Sequence, residues 1–294
     1  MKTNRISKVA LVCFLSMLLA GNNTFGQNRE PQNIYRVAVK SRYVLEDGQR
    51  TKDYFAIKQL ISDSLGRMHT EIDFDWETHY PKNYRWHYFN GQTKYRTDFF
   101  VNEKLSKVEN YKWDTQGKLT ELTIEKVFPT DTSIVLKETY AYNPDGTIKN
   151  ITGYNEKGKK GFKTKHKYDD KGTEILRKVK GKKAVPSDSI MFLSRVPEYD
   201  SVGRVVKETK EVEKFSRGKS TSTFAYTYDE NGNKVQQLEM DAAGNLTKKI
   251  EFIYRKDNKI QQIKEFDASD KLIDWQAWRY EIYKTNDRRQ RVLE

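Results

Sequence analysis

Seven times along this chain an aromatic or Met residue is followed by Asp or Asn, two variable residues and Gly. The copies are Trp113 to Gly117, Tyr142 to Gly146, Tyr154 to Gly158, Tyr168 to Gly172, Tyr199 to Gly203, Tyr228 to Gly232 and Met240 to Gly244. Three weaker copies extend the series. The run from Ser62 to Gly66 around Asp63 lacks the aromatic, Tyr254 to Asn258 has Arg255 for Asp and Asn258 for Gly, and Phe266 to Asp270 has Asp270 at the Gly place. Each motif residue has a turn-forming reason. Asp or Asn at the first turn position accepts a hydrogen bond from a backbone N–H two residues on. Gly takes the positive φ that realigns the strands without a Cβ clash, and Asn and Asp tolerate it next best. The aromatic holds the last strand position, where it can stack on its counterpart across the ladder.

Spacing carries this from turn to fold. Asn143 to Asn155 is 12 residues, Asn155 to Asp169 is 14, and Asp229 to Asp241 is 12. Removing a turn of about four or five residues leaves strands of roughly seven to nine, near the usual strand length, with no room for a helix. Longer gaps hold their own loop signals: Pro129-Thr130-Asp131-Thr132, Gly181-Lys182-Lys183 with Pro186-Ser187-Asp188, and Ser216-Arg217-Gly218-Lys219. The repeating unit is then a two-strand hairpin of roughly 26 to 31 residues, a period typical of arrays. The expected fold is all-β: an antiparallel meander of repeated β-hairpins forming a long twisted or curled sheet.

The amino terminus reads as a secretory signal over 1–26. Lys2, Arg5 and Lys8 precede an apolar run from Val9 to Ala20, which is too short to span a bilayer. Residues 27–294 then form the β-hairpin repeat domain, clearest over about 107–275. The one cysteine, Cys13, lies inside the signal, so the mature chain has no disulfide, cysteine nucleophile or cysteine ligand. Net charge falls from +13 to +10 once the three signal cations are removed. Lys is mixed with Asp and Glu along most strands, as on a solvated two-sided sheet with protected edges. Binding to an anionic polymer would instead require a continuous Lys and Arg stripe. An outer-membrane barrel also alternates along strands of about ten residues, but the high charge and close turns favour a soluble sheet.

Further β pattern precedes the regular repeats. Ile34 to Val39, a turn at Asp47-Gly48, and Tyr54 to Ile57 open it. In Ile72-Asp73-Phe74-Asp75-Trp76-Glu77 strict alternation predicts Ile72, Phe74 and Trp76 on one face. Tyr84, Trp86 and Tyr88 repeat it, and Asn90-Gly91 closes a two-residue hairpin. Phe224, Tyr226 and Tyr228 share a face, as do Ile250, Phe252 and Tyr254, so the core is expected on an aromatic-rich face. Trp275, Trp278, Tyr280 and Tyr283 are placed to cap the last strand, as terminal repeats require.

The copies Tyr228-Asp229-Glu230-Asn231-Gly232-Asn233 and Tyr199-Asp200-Ser201-Val202-Gly203-Arg204 resemble the YD repeats of RHS-type proteins. The resemblance covers approximately 107–275 and, in degenerate form, 60–90. It implies strands that coil into shells, some around toxin cargo, others on cell-surface proteins that engage carbohydrate or other partners. This chain is too short for a cargo-sized shell, its spacing is shorter than the usual YD unit, and it contains no RHS core or toxin module.

Chemical motifs are sparse. His69, His79, His87 and His166 show no metal-ligand spacing, and no nucleophile elbow, phosphate loop or dinucleotide fingerprint is present. No cofactor or metal is implied. Asp73, Asp75 and Glu77 form the best carboxylate set, with alternate residues about 7 Å apart along a strand face. That separation suits a glycosidase pair, giving a secreted hydrolase on the strand Ile72–Glu77 as the alternative reading. Flat aromatic rings beside polar groups suit sugars or peptides, which makes Trp76, Tyr84, Trp86 and Tyr88 the candidate ligand-binding residues; cross-strand packing explains them equally well. The reading is an exported, non-enzymatic scaffold or binding surface in the cell envelope, periplasmic, surface-bound or secreted. Its partner is carbohydrate or another envelope protein, without specific nucleic-acid binding or a transmembrane segment after signal cleavage.

Overall fold

The computed structural model describes residues 34–127, 134–181, 190–214, 218–284 and 291–293. The signal at 1–26 and the loop signals at 129–132 and 186–188 lie outside them. Every regular element among the described residues is a β-strand. They run β1 (Ile34–Glu46), β2 (Gln49–Asp63), β3 (Met68–Phe74), β4 (Pro81–Asn90), β5 (Thr93–Val101) and β6 (Lys104–Trp113). Next come β7 (Leu119–Lys126), β8 (Ile134–Tyr142), β9 (Ile148–Tyr154), β10 (Lys160–Tyr168), β11 (Glu174–Lys180) and β12 (Ile190–Tyr199). The last are β13 (Val205–Lys214), β14 (Gly218–Tyr228), β15 (Lys234–Met240), β16 (Leu246–Tyr254), β17 (Ile260–Asp267), β18 (Leu272–Lys284) and the short β19 (Arg291–Leu293).

All ten motif copies build the same reversal. The first turn residue donates its N–H to the carbonyl four residues on, and the residue at the Gly place donates back to the first carbonyl, as in Asp229 to Asn233 at 2.9 Å and Gly232 to Asp229 at 3.1 Å. In most copies the Asx carboxyl or amide adds further bonds, such as Asn233 N–H to Asp229 Oδ1 at 2.8 Å. The weak copy at Arg255 makes both backbone bonds, at 2.8 and 3.0 Å, without an Asx side chain. Asn258 and Asp270 take φ of +59° and +64°, the left-handed conformation that Gly supplies elsewhere. Some turns before the regular repeats are tighter. Asp47-Gly48 is a two-residue reversal with φ of +50° and +76°, and Asn102-Glu103, which carries no Gly signal, is another at +47° and +66°. The β4–β5 turn sits one residue later than expected, because Asn90 pairs with Thr93 and leaves Gly91-Gln92 as the loop.

Each strand pairs antiparallel with the next, and β1 also pairs with β18, Val37 opposite Glu281 and Val39 opposite Arg279. The sheet is therefore not the long open ribbon expected from the repeats; eighteen strands close into an up-and-down β-barrel, and β19 pairs with the end of β18. Closure also overturns the capping role of the terminal aromatics. The edge of β18 is occupied by β1, and Trp275 and Trp278 fall on opposite faces of the strand. Rings of this strand number leave an aqueous lumen.

The best-buried apolar cluster lies at the closure, where Val37, Val39, Ile61, Ile72 and Tyr84 pack together with Tyr35, Ala56, Phe74 and Phe100 against them. Register places these on one face of β1 to β5. Most motif aromatics point to the other face, while Tyr154 and Phe266 share the face of the cluster, and they do not stack across the ladder as expected. Each rings-parallel pair lies along one strand at i and i+2: His166 with Tyr168 at 6.5 Å, Phe224 with Tyr226 at 6.5 Å, and Trp278 with Tyr280 at 6.3 Å. Motif hydroxyls instead cap the neighbouring strand, Tyr142 donating to the Leu119 carbonyl at 2.8 Å and Tyr254 to that of Lys234 at 2.9 Å.

Candidate binding surfaces

Of the four aromatic residues singled out from sequence, β4 presents three on one face. Tyr84, 6% exposed, belongs to the apolar cluster. Trp86 is 36% exposed and tilts against Phe100 at 5.0 Å. Tyr88 donates its hydroxyl to Asp98 at 3.1 Å, with the Arg96 guanidinium over its ring. Trp76 does not join the face of Ile72 and Phe74, because β3 ends at Phe74 and the chain turns. It stands instead in the β3–β4 loop, 66% exposed, together with Tyr80, also 66% exposed.

That loop is firmly held. Asp75 Oδ1 accepts the N–H groups of Glu77 and Thr78, both at 3.0 Å, and the Thr78 hydroxyl at 3.2 Å, while Lys82 pairs with Oδ2 at 2.8 Å. The Lys82 bond and the Thr78 N–H hold the Asp75 carboxyl well below the usual range. The ring of His79 packs on Phe55 at 4.9 Å.

The same turn undoes the carboxylate constellation expected on Ile72–Glu77. Asp73 remains on the strand, beside Lys58 at 3.5 Å and Arg85 at 3.7 Å. Asp75 shapes the loop and Glu77 lies exposed within it, so the three share no face. Among the described residues no group of three or more His, Cys, Asp and Glu is arranged to hold a metal.

Sequence reading missed a polar chain across β3, β4, β5 and β6 on the tyrosine-bearing face. Glu71 pairs with Lys58 at 3.2 Å and Arg85 at 2.8 Å. His87 places Nε2 3.2 Å from Glu71 Oε1 and Nδ1 2.9 Å from Thr97 Oγ1. Tyr111 lies 3.3 Å from Thr97 and donates to Glu109 at 2.6 Å. Burial pushes the Tyr111 phenol up, reinforced by Glu109. Burial alone would raise the Glu71 carboxyl, but Lys58 and Arg85 outweigh it and hold it low. A second hydroxyl–imidazole–carboxylate row joins Thr164 to His166 at 2.7 Å and His166 to Glu174 at 2.5 Å. Both rows follow the order of a nucleophile, base and orienting acid, yet Thr97 is 0% exposed and Thr164 is buried. They tie the wall together with no hydroxyl open to a substrate. Only the period-two recurrence of polar residues at Glu71, Arg85 and His87 hinted at them.

Charges interrupt both faces at mid-strand. One face carries Lys58, Glu71 and Arg85 and, further round, Arg195, Glu208 and Lys210 in a second cluster. The other carries Glu121 between Lys112 and Lys137, and Lys249 beside Glu251 at 3.3 Å. No helix among the described residues is long and apolar enough to cross a membrane.

No family model matches the chain, and no curated protein matches it. Among solved structures it is similar to TcdB2-TccC3-TEV, at 12% identity and a TM-score of 0.32. That match covers 77% of this chain and 14% of the other, so the chain spans about one seventh of its length. It is similar also to a porin-like protein from Bacteroides uniformis, at 11% identity and a TM-score of 0.40 over 86% of this chain and 98% of that one. A porin-like protein from Bacteroides vulgatus gives 10% identity and a TM-score of 0.31, covering 81% and 96% of the two chains.

Proposed function

We propose that this chain is an exported, non-enzymatic β-barrel that serves as a scaffold and binding surface in the cell envelope, with carbohydrate as its ligand class. The observation that carries this reading is the pair Trp76 and Tyr80, each 66% exposed on a loop that Asp75 and Lys82 pin in place. Two large rings held in solvent by a rigid turn are available for stacking on sugar rings at little ordering cost. Trp86 extends the aromatic surface onto β4, while Tyr84 and Tyr88 support it from the apolar cluster and through Asp98.

Mid-strand charge on both faces bears on location. A membrane-spanning barrel needs an unbroken apolar band around its outside, and neither face of this wall offers one among the described residues. That charge supports a place in an aqueous phase of the envelope or at its surface. A glycan panel screened by calorimetry against residues 27–294 tests the reading. Trp76→Ala with Tyr80→Ala is expected to weaken the best neutral glycan by about fivefold or more, two stacking contacts of this kind each contributing roughly 0.5–1.5 kcal/mol, with the melting temperature unchanged. Absence of any glycan binding, or equal binding by the variant, would sink it.

A further inference from the structure

Many lysines of the wall sit beside carboxylates: Lys207 pairs with Glu198, Lys219 with Glu211, and Lys112 and Lys137 share Glu121. The hairpin β10–β11 gathers lysines that do not. Lys163, Lys165 and Lys167 alternate along β10, all exposed, while Phe162, Thr164 and His166 between them are buried. Across the ladder Lys163 lies opposite Lys180 and Lys165 opposite Lys178, both also exposed. No ion pair reaches any of the five among the described residues; Lys178 alone finds a partner, the ring of Phe192 at 5.5 Å. Directly opposed like charges are destabilising in a sheet. Two such pairs stacked in one ladder, with neutral Thr152 opposite Lys163 on the other side, concentrate positive potential on one sheet surface.

We propose that the β10–β11 lysine ladder is a docking surface for an acidic polysaccharide. Charge complementarity names the class. Repeating cations about 7 Å apart along β10 and about 5 Å apart across it match a flexible chain that bears an anion on successive units. Lysines are compact point charges rather than planar forks, so they suit carboxylate or sulfate groups presented at varied angles. Single-stranded nucleic acid would also want stacking platforms between the cations. The aromatics of β10 point to the opposite face, and the rings on this one, Phe192 beside Lys178 and Tyr154 on β9, lie on the flanking strands, so no row of rings runs between the cations. The site is separate from the Trp76 loop and stands or falls independently of neutral glycan binding there.

The test compares three probes on residues 27–294: heparin, polygalacturonate and oligo-dT. Binding to heparin and polygalacturonate should weaken steeply with salt. The variant Lys163→Gln, Lys165→Gln, Lys178→Gln, Lys180→Gln should lose about tenfold or more at low salt, with the log–log salt slope reduced by up to about four. The control Lys112→Gln, Lys137→Gln should bind like the parent. The fourfold variant should melt no lower than the parent, since it relieves repulsion, so weaker binding with an unchanged or higher melting temperature supports the site. Equal loss in the control, unchanged binding in the fourfold variant, or oligo-dT bound as tightly as the polysaccharides would overturn it. Loss of neutral glycan binding on Trp76→Ala, with heparin binding retained, separates the two surfaces.

Discussion

The Tyr228 hydroxyl donates to the Val205 carbonyl at 2.8 Å, tying the last residue of β14 to the first residue of β13. The β13–β14 ladder runs no closer to this rim than Lys207 opposite Ala225, so the Val205 carbonyl lies beyond its last paired residues. The phenol fills the place of the missing ladder bond. The same clasp recurs from Tyr280 to Ile260, at 2.9 Å, where the β17–β18 ladder likewise stops at Gln262 and Ala277. The motif tyrosine thus seals the rim where turn and bulge pull two strands apart, a task that explains why Tyr recurs at this position.

Removing one clasp should cost little more than a single hydrogen bond. Tyr228→Phe is expected to lower unfolding free energy by about 1 kcal/mol in urea denaturation, since it leaves a backbone carbonyl without its donor. Tyr228→Phe and Tyr280→Phe should add, because the two clasps share no partner. A neutral Tyr228→Phe would mean that water serves the Val205 carbonyl equally well.

At the turn that follows, conformation rather than space sets the requirement. Gly232 has φ of +80°, and a Cβ placed there meets nothing within 4 Å. Gly232→Val is therefore expected to cost about 1–3 kcal/mol from backbone strain alone, and Glu230→Ala less than about 0.5 kcal/mol. Gly232→Asn should fall close to the parent, because Asn258 already occupies the equivalent place at +59°. Equal losses for Val and Asn would contradict the turn assignment.

The turns were legible because their residues act locally. Asp, Asn and Gly at fixed offsets specify a reversal whatever lies beyond it, and even the degenerate copies at Asp63, Arg255 and Asp267 fold as the full ones do. Closure was not legible, since it depends on accumulated twist around the ring bringing Val37 beside Glu281, which no short segment encodes. Alternation alone carried Trp76 onto a strand that Asp75 ends by capping the next turn. The lysines of β10 show their common face by period two, but their confrontation with Lys178 and Lys180 needs the register.

Gly153 obeys a different rule from the turn glycines. Its φ is not in the left-handed region, yet a Cβ there would run into the ring of Phe162, which lies directly over it from β10. Gly153→Ala should thus cost about 1–3 kcal/mol by overpacking, and Phe162→Ala about 3–5 kcal/mol by lost burial. Combined, they should cost clearly less than their sum, because the small side chain at 162 removes the clash. A purely additive double variant, read by thermal unfolding, would contradict the contact.

The polar chain through His87 predicts a particular acid sensitivity. Burial, with the charge of Lys94 second, pushes the His87 imidazole below its ordinary value of 6.5, against the opposing pull of Glu71; Arg85 adds to the lowering. Thr97 faces its Nδ1 as a neutral partner. With its folded-state value depressed, the imidazole stays neutral in the barrel at a pH where the unfolded chain already binds a proton. Its contribution to stability is then complete above about pH 6.5 and drains away as pH falls through the lowered folded-state value. Urea midpoints measured from pH 7.5 down to pH 5 should decline more steeply for the parent than for His87→Gln, which keeps a polar side chain without the titration. His69, His79 and His166 are present in both proteins, so the comparison isolates His87. Parallel pH profiles would show that His87 takes up its proton as readily folded as unfolded.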